Sequence, residues 1–177
     1  MDRLSRAFLK NIRLQDISSI GNEKPKVETL EIEKKVVNPY TGRITYFQKF
    51  SEYLLNSEPE RLATKRKKGM QLQLQKVVYN TTEVYLVIEI ENKSGIDFEI
   101  DYLKIYRTNG NSKCKASFQR LQQVVIYKHK MARSIKDQQR QQFVYVLPKF
   151  VLGENEKIMI ELKGLKESRT VILNNRL

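Results

Sequence analysis

Residues 84–106 read VYLVIEIENKSGIDFEIDYLKIY, and the periodicity of this stretch decides the fold class. In its first half Val84, Leu86, Ile88 and Ile90 fall on one face. On the other, Tyr85 and Val87 give way to Glu89 and Glu91, which is the period-2 signature of a strand. Asn92 and Gly95 punctuate the run. In the second half Ile96, Phe98, Ile100 and Tyr102 alternate with Asp97, Glu99 and Asp101, after which Leu103 and Ile105 carry the apolar parity to the opposite face. That switch requires a bulge near Tyr102, or burial of both faces. Pairing the two halves as a simple hairpin with apolar faces matched would oppose Glu89 and Asp97, and directly opposed like charges are unfavourable. The stretch is therefore expected to be a corner that takes the chain from one sheet to another, as in immunoglobulin-like sandwiches.

Downstream and upstream of it the strand pattern continues. Met70, Leu72 and Leu74 alternate with Gln71, Gln73 and Gln75, and 80–82 form a polar turn. Asn109-Gly110 is a two-residue hairpin signal. Further strands are expected at 113–120, 121–127, 143–147, 158–162 and 170–173, with a loop or short helix over 131–142. Pro148 cannot donate to a ladder, so it marks a sheet edge or a strand end. Seven or so short strands with frequent turns read as a sandwich over 69–177.

The first 68 residues read as a smaller region with its main boundary near Gly69. Leu4, Phe8 and Ile12 recur at helical spacing, so a short amphipathic helix is expected in 1–20. The run 27–37, the turn NPYTG and the run RITYFQKF look like a β-hairpin, with a helical turn over 52–62 interrupted at Pro59. Lys65, Arg66, Lys67 and Lys68 then form a run of four cations. They are the candidate anion or nucleic-acid contacts, although such a run is more often a solvated linker.

The chain has 33 Lys and Arg against 20 Asp and Glu in 177 residues, a net charge of +13, which favours anionic partners: nucleic acid, a membrane surface or an acidic protein face. The excess is spread along the chain, with fifteen basic and nine acidic residues before Gly69 and eighteen and eleven from there on. One Cys and one His cannot close a zinc site, and no intrachain disulfide can form. No apolar run approaches the length of a spanning helix. The start, MDRLSRAFLK, has no apolar h-region or small-residue cleavage site and is not read as an export signal.

Candidate chemistry is sparse. Asp97, Glu99 and Asp101, with Glu89 and Glu91 near, are candidates for a calcium site or for an acid/base pair acting on a glycoside; the ordinary reading is a solvated strand face paired with Lys or Arg. His129 lies between Lys128 and Lys130, with Ser134 as the nearest candidate nucleophile, but no elbow motif or orienting acid is evident and it reads as a surface histidine. Cys114 between two lysines reads as a small strand residue. The triplets beginning at Asn80 and Asn92 match glycosylation acceptors but read as turns. Tyr79, Tyr85, Tyr102, Tyr106 and Tyr127 lie within strand runs, where packing accounts for them. No catalytic residue, cofactor site or metal site is assigned.

Several blocks carry a family resemblance: Asn92, Lys93 and Ser94 with Phe98, Glu99, Ile100, Asp101 and Leu103; Lys113, Lys115, Ala116, Ser117 and Gln119; Phe143 and Val144 followed by Pro148, Lys149 and Phe150; and Ile160, Glu161 and Leu162 with Arg169. In order and spacing, residues 69–177 resemble the C-terminal domain of the TraN family of conjugative-transposon proteins from Bacteroidetes. The chain departs from that pattern in lacking an exported N-terminus and in reducing the glycine-rich segment before the last strand to Gly164 with Leu165, Lys166, Glu167 and Ser168. The resemblance implies a non-enzymatic structural part of a conjugative type IV secretion apparatus in the cell envelope, periplasmic or outer-membrane associated. Its partners would be other subunits of that apparatus, engaged through sheet edges and loops, and it would have no small-molecule substrate. The residues leave two alternatives beside it: a basic nucleic-acid-binding module acting through Lys65–Lys68, and a carbohydrate-binding β-sandwich.

Overall fold

The computed structural model describes residues 40–110, 118–165 and 169–176. The helix expected in 1–20, the run 27–37 and Cys114 lie outside the described residues. A 3-10 turn, Thr41–Arg43, leads into the helix α1 (Ile44–Asn56). The strands that follow are β1 (Ala63–Lys67), β2 (Met70–Asn80), β3 (Glu83–Asn92), β4 (Phe98–Asn109), β5 (Gln119–Gln122), β6 (Tyr127–His129), β7 (Ser134–Ile135), β8 (Arg140–Pro148), β9 (Glu156–Gly164) and β10 (Thr170–Asn175).

They form two antiparallel sheets, β1-β2-β3-β8-β6 and β10-β9-β4-β5, with β7 paired to the start of β4. The fold is mainly β, a two-sheet sandwich with one small helix. The stretch 84–106 is the expected corner: β3 is the central strand of the first sheet and β4 belongs to the second. The register between β4 and β9 shifts between Ile100 and Tyr102, so Asp101 is the extra residue that moves Leu103 and Ile105 to the inner face. Asn92 anchors the corner. Its buried amide donates to the carbonyls of Ile96 and Ile135 (2.8 and 3.0 Å), and its Oδ1 accepts from the backbone and hydroxyl of Ser94.

The core follows from the two faces of β3. Val84, Leu86, Ile88 and Ile90 enter the space between the sheets, where they meet Leu103, Ile105, Ile158, Ile160, Leu162, Val171 and Leu173. Each such side chain contributes about 1.5–3 kcal/mol on burial. Tyr85 and Val87 face the other way and, with Val144 and Val146 of β8, are covered by Phe47 and Leu54 of α1. β3 is buried at every position because both its faces are covered.

This helix corrects the expected hairpin: Ile44 to Phe50 is helical rather than extended. The β-branched and aromatic residues of RITYFQKF favour a strand locally. Yet Phe47, Ser51 and Leu54 fall at i, i+4 and i+7, one helical stripe, and the apolar patch of Tyr85, Val87, Val144 and Val146 receives it. Tertiary burial outweighs local preference here. An ion pair fixes the helix start, with the guanidinium of Arg43 gripping the fully buried carboxylate of Glu83, Nη2 to Oε2 at 3.0 Å. The helix ends where Ser57 turns extended and its hydroxyl donates to the Leu54 carbonyl at 2.7 Å.

Gly69 is not a boundary but a hairpin turn. Lys67 pairs with Met70 and Ala63 with Leu74, so β1 and β2 form one unit across it. The Asn109-Gly110 signal also misplaces its turn: Asn109 is still part of β4 and pairs with Gln119. The strand expected over 121–127 is split between β5 and β6, and Pro148 marks the end of β8, an interior strand, rather than an edge. Among the described residues no helix is long and apolar enough to cross a membrane.

Candidate functional site

Helix α1 covers only part of the outer face of the first sheet. Beyond it, the strand register lays polar side chains in two rows across four strands: Thr64, Gln73, Glu89 and Gln142 in one, Arg66, Gln71, Glu91 and Arg140 in the other. A β-bulge between Leu74 and Lys76 brings Gln75 to the same region. The segment from α1 to β1 crosses this face, and Pro59 and Arg61 complete the lining of a cleft of about 290 Å³ that Lys93 also borders. Arg61 has φ 56°, in the left-handed region that costs a non-glycine residue energy.

The floor of the cleft is held by its own hydrogen bonds. Glu89, nearly fully buried, accepts at Oε2 from the side-chain amides of Gln75 and Gln142, each at 2.9 Å, and its Oε1 is ion-paired with Arg140 Nε at 3.4 Å. Glu91 accepts from Lys93 Nζ at 2.9 Å and from Arg140 Nη2 at 3.1 Å. The Lys93 hydrogen bond, with Arg140 behind it, holds the Glu91 carboxyl below the usual carboxylate range, against the effect of burial. Glu91 is therefore ionised at neutral pH and unsuited to donate a proton. Arg66 donates to Gln71 at 2.6 Å, and Gln71 to Gln73 at 3.3 Å. Gln73 Nε2, Gln75 Oε1 and Gln142 Oε1 have no protein partner among the described residues, although Gln73 and Gln75 are more than nine-tenths buried. None of these three atoms is itself sealed from water, so they reach the solvent of the cleft and are open hydrogen-bonding positions there.

Of the four candidate cations, Arg66, Lys67 and Lys68 border, with Lys93 and Glu91, a second cleft of about 350 Å³ at the β1–β2 turn, and Lys65 does not. Alternation along β1 sends Arg66 to the cleft side with Gln71, whereas Lys65 and Lys67 lie on the face shared with Leu72 and Met70. Lys68 occupies the turn at φ 50°. Lys65, Arg66 and Lys67 belong to an edge strand rather than to a linker. Lysines on an edge discourage pairing with another chain.

The acids of β4 follow their ordinary reading. Asp101 pairs with Lys163 at 3.4 Å, whereas Asp97, just before β4, accepts from the Asp137 backbone N–H at 3.1 Å, and no group of three or more potential metal ligands exists among the described residues. His129 departs from expectation, since it is buried rather than on the surface. Its Nε2 lies 2.8 Å from Glu52 Oε2 and its Nδ1 3.4 Å from the Tyr127 hydroxyl, while Lys130 reaches Glu52 Oε1 at 2.7 Å. The orienting acid comes from α1, 77 residues away in sequence, so no local motif shows it. The array ties the helix to β6. Asn80 donates to the Tyr46 hydroxyl and Asn92 is buried, as turn residues rather than as exposed acceptors.

The family model described as a domain of unknown function (DUF4138) matches residues 49–176. The chain belongs to this family. The DUF4138 match begins inside α1, so the later part of the helix, the strap over the cleft and β1 lie with the later strands in one matched region. No curated protein and no solved structure matches the chain.

Arg61, Gln73, Gln75, Arg140 and Gln142 were not singled out by sequence reasoning. The one visible signal was the alternation of Gln71, Gln73 and Gln75 along β2, which taken alone describes an ordinary solvated strand face.

Proposed function

We propose that this DUF4138 member is a non-enzymatic assembly component of a conjugative type IV secretion apparatus in the cell envelope, acting by docking to other subunits. The resemblance of residues 69–177 to the TraN C-terminal domain supports the setting. The cleft supports the mode of action: Glu89 and Glu91 are held by Arg140 and Lys93 in a fixed network, while open amide ends and a strained arginine remain for recognition. This single observation carries the reading, and it moves docking from a sheet edge, where Lys65 and Lys67 oppose pairing, to a sheet face. The nucleic-acid alternative has less support because the cleft that Arg66, Lys67, Lys68 and Lys93 share also holds the Glu91 carboxylate, and Lys65 lies outside it. A carbohydrate site has less support because no aromatic side chain lines the cleft.

In the host that carries the gene, deletion is expected to lower conjugative DNA transfer by orders of magnitude. Restoration with wild-type protein should succeed, and restoration with the Arg61→Ala/Gln73→Leu double variant should fail at equal protein level. Full transfer by the deletion strain would overturn the proposal.

A further inference from the structure

The chemistry of the cleft narrows its partner. Four cations line it, Arg61, Arg66, Lys93 and Arg140, against two carboxylates, Glu89 and Glu91. Both carboxylates are ion-paired with Arg140, and Lys93 is held by Glu91, so the charge left unneutralised sits on Arg61 and Arg66. Arg66 uses Nε on Gln71, which leaves the outer nitrogens of its guanidinium free to grip a carboxylate in the two-bond manner such groups favour. The amide row of Gln73, Gln75 and Gln142 offers N–H donors, both of those on Gln73 Nε2 among them, and the acceptor oxygens of Gln75 and Gln142, the complement of peptide C=O and N–H groups. Small-molecule pockets are mostly apolar. Here Pro59 is the one apolar lining residue, and the cleft is open between the strap and the sheet face.

We infer that the cleft binds an extended peptide segment bearing carboxylate side chains, presented by a partner subunit, with Arg61 and Arg66 holding the carboxylates and the glutamine amides holding the main chain. This is recognition of an acidic motif by an arginine pair. It rests on the docking reading and names the chemistry of what docks.

The test is fluorescence anisotropy of the full chain with a labelled ten-residue peptide alternating glutamate and serine, beside the matched lysine–serine peptide and a ten-nucleotide single-stranded DNA. The glutamate peptide should bind and weaken with salt, the lysine peptide should not bind, and the DNA should bind no better than the lysine peptide. Arg66→Ala and Gln73→Leu should each lower affinity about tenfold, whereas Lys149→Ala, an exposed cation outside the cleft, should leave it unchanged. Arg61→Glu/Arg66→Glu should reverse the preference to the lysine peptide, a gain that a misfolded protein could not show. The inference is overturned if the glutamate peptide does not bind, if its binding ignores these substitutions, or if DNA binds equally with the same sensitivity. Failure here together with loss of transfer in the Arg61→Ala/Gln73→Leu strain would leave docking standing with a different occupant. Peptide binding with full transfer in the deletion strain would do the reverse.

Discussion

Replacing Gly69 by alanine tests the hairpin that carries β1 to the cleft. Lys68 and Gly69 are the two residues of a turn closed by Lys67 and Met70, and both have positive φ, 50° and 77°, as a type I′ turn requires. Left-handed backbone costs an alanine about 1–2 kcal/mol relative to glycine. There is also a steric cost: a Cβ on Gly69 would lie 2.5 Å from Ser94 Cα and 2.8 Å from the Lys93 carbonyl oxygen, both backbone atoms of the adjoining turn. Relieving that contact means withdrawing the turn and losing the Lys93 N–H to Gly69 O bond of 2.7 Å, worth about 1 kcal/mol. The total is about 2–4 kcal/mol. With a urea slope near 2 kcal/mol/M, the unfolding midpoint should fall by about 1–2 M at unchanged slope. Gly95→Ala is the control, because Gly95 has φ 82° but nothing within 4 Å of the added carbon. It should lose only the conformational part, about 1–2 kcal/mol. Equal losses for the two substitutions would refute the close approach of the β1–β2 turn to Ser94.

Three further outcomes are expected. Phe47→Ala, at the fully buried centre of the helix–sheet contact, should cost about 3–5 kcal/mol in urea unfolding, and a loss below 1 kcal/mol would mean that α1 does not pack there. Lys130 first and His129 second hold the Glu52 carboxyl below its ordinary value, so this group stabilises the fold above that value and the contribution is lost as pH falls through the folded-state pKa. Glu52→Gln should therefore flatten the acid limb of the stability–pH curve, and an unchanged limb would remove the array from the account. Burial pushes the Tyr145 hydroxyl up to about 12, so its contribution is present below about pH 10 and is lost as pH rises toward 12. Tyr145→Phe should hold its stability between pH 10 and 12 better than the parent does in alkaline unfolding; identical profiles would contradict the burial.

What could be read directly were the features that depend on one strand at a time. The parity of Val84, Leu86, Ile88 and Ile90, and its switch after Tyr102, follow from the period of two in extended chain. They pointed to the mainly β character, to a bulge or two-sided burial near Tyr102 and to the passage from one sheet to the other; the register then places a bulge at Asp101. The opposition of Glu89 and Asp97 in any simple hairpin was enough to require that passage.

The features that were missed depend on a second surface. The run RITYFQKF suits a strand until Tyr85, Val87, Val144 and Val146 provide an apolar patch shaped for a helix. Glu52 becomes the partner of His129 only when α1 is laid on β6. Lys65–Lys68 read as one positive run, but strand alternation divides them and gives only Arg66 to the cleft. The cleft itself has no contiguous sequence, since its rows run across β1, β2, β3 and β8 and its roof is the strap after α1. The sequence by itself determined the faces of the strands, because side-chain direction alternates within a single segment. Which faces meet, which stay open and which charges come together was decided only by the tertiary structure, because hydrogen-bond register sets residues distant in sequence side by side.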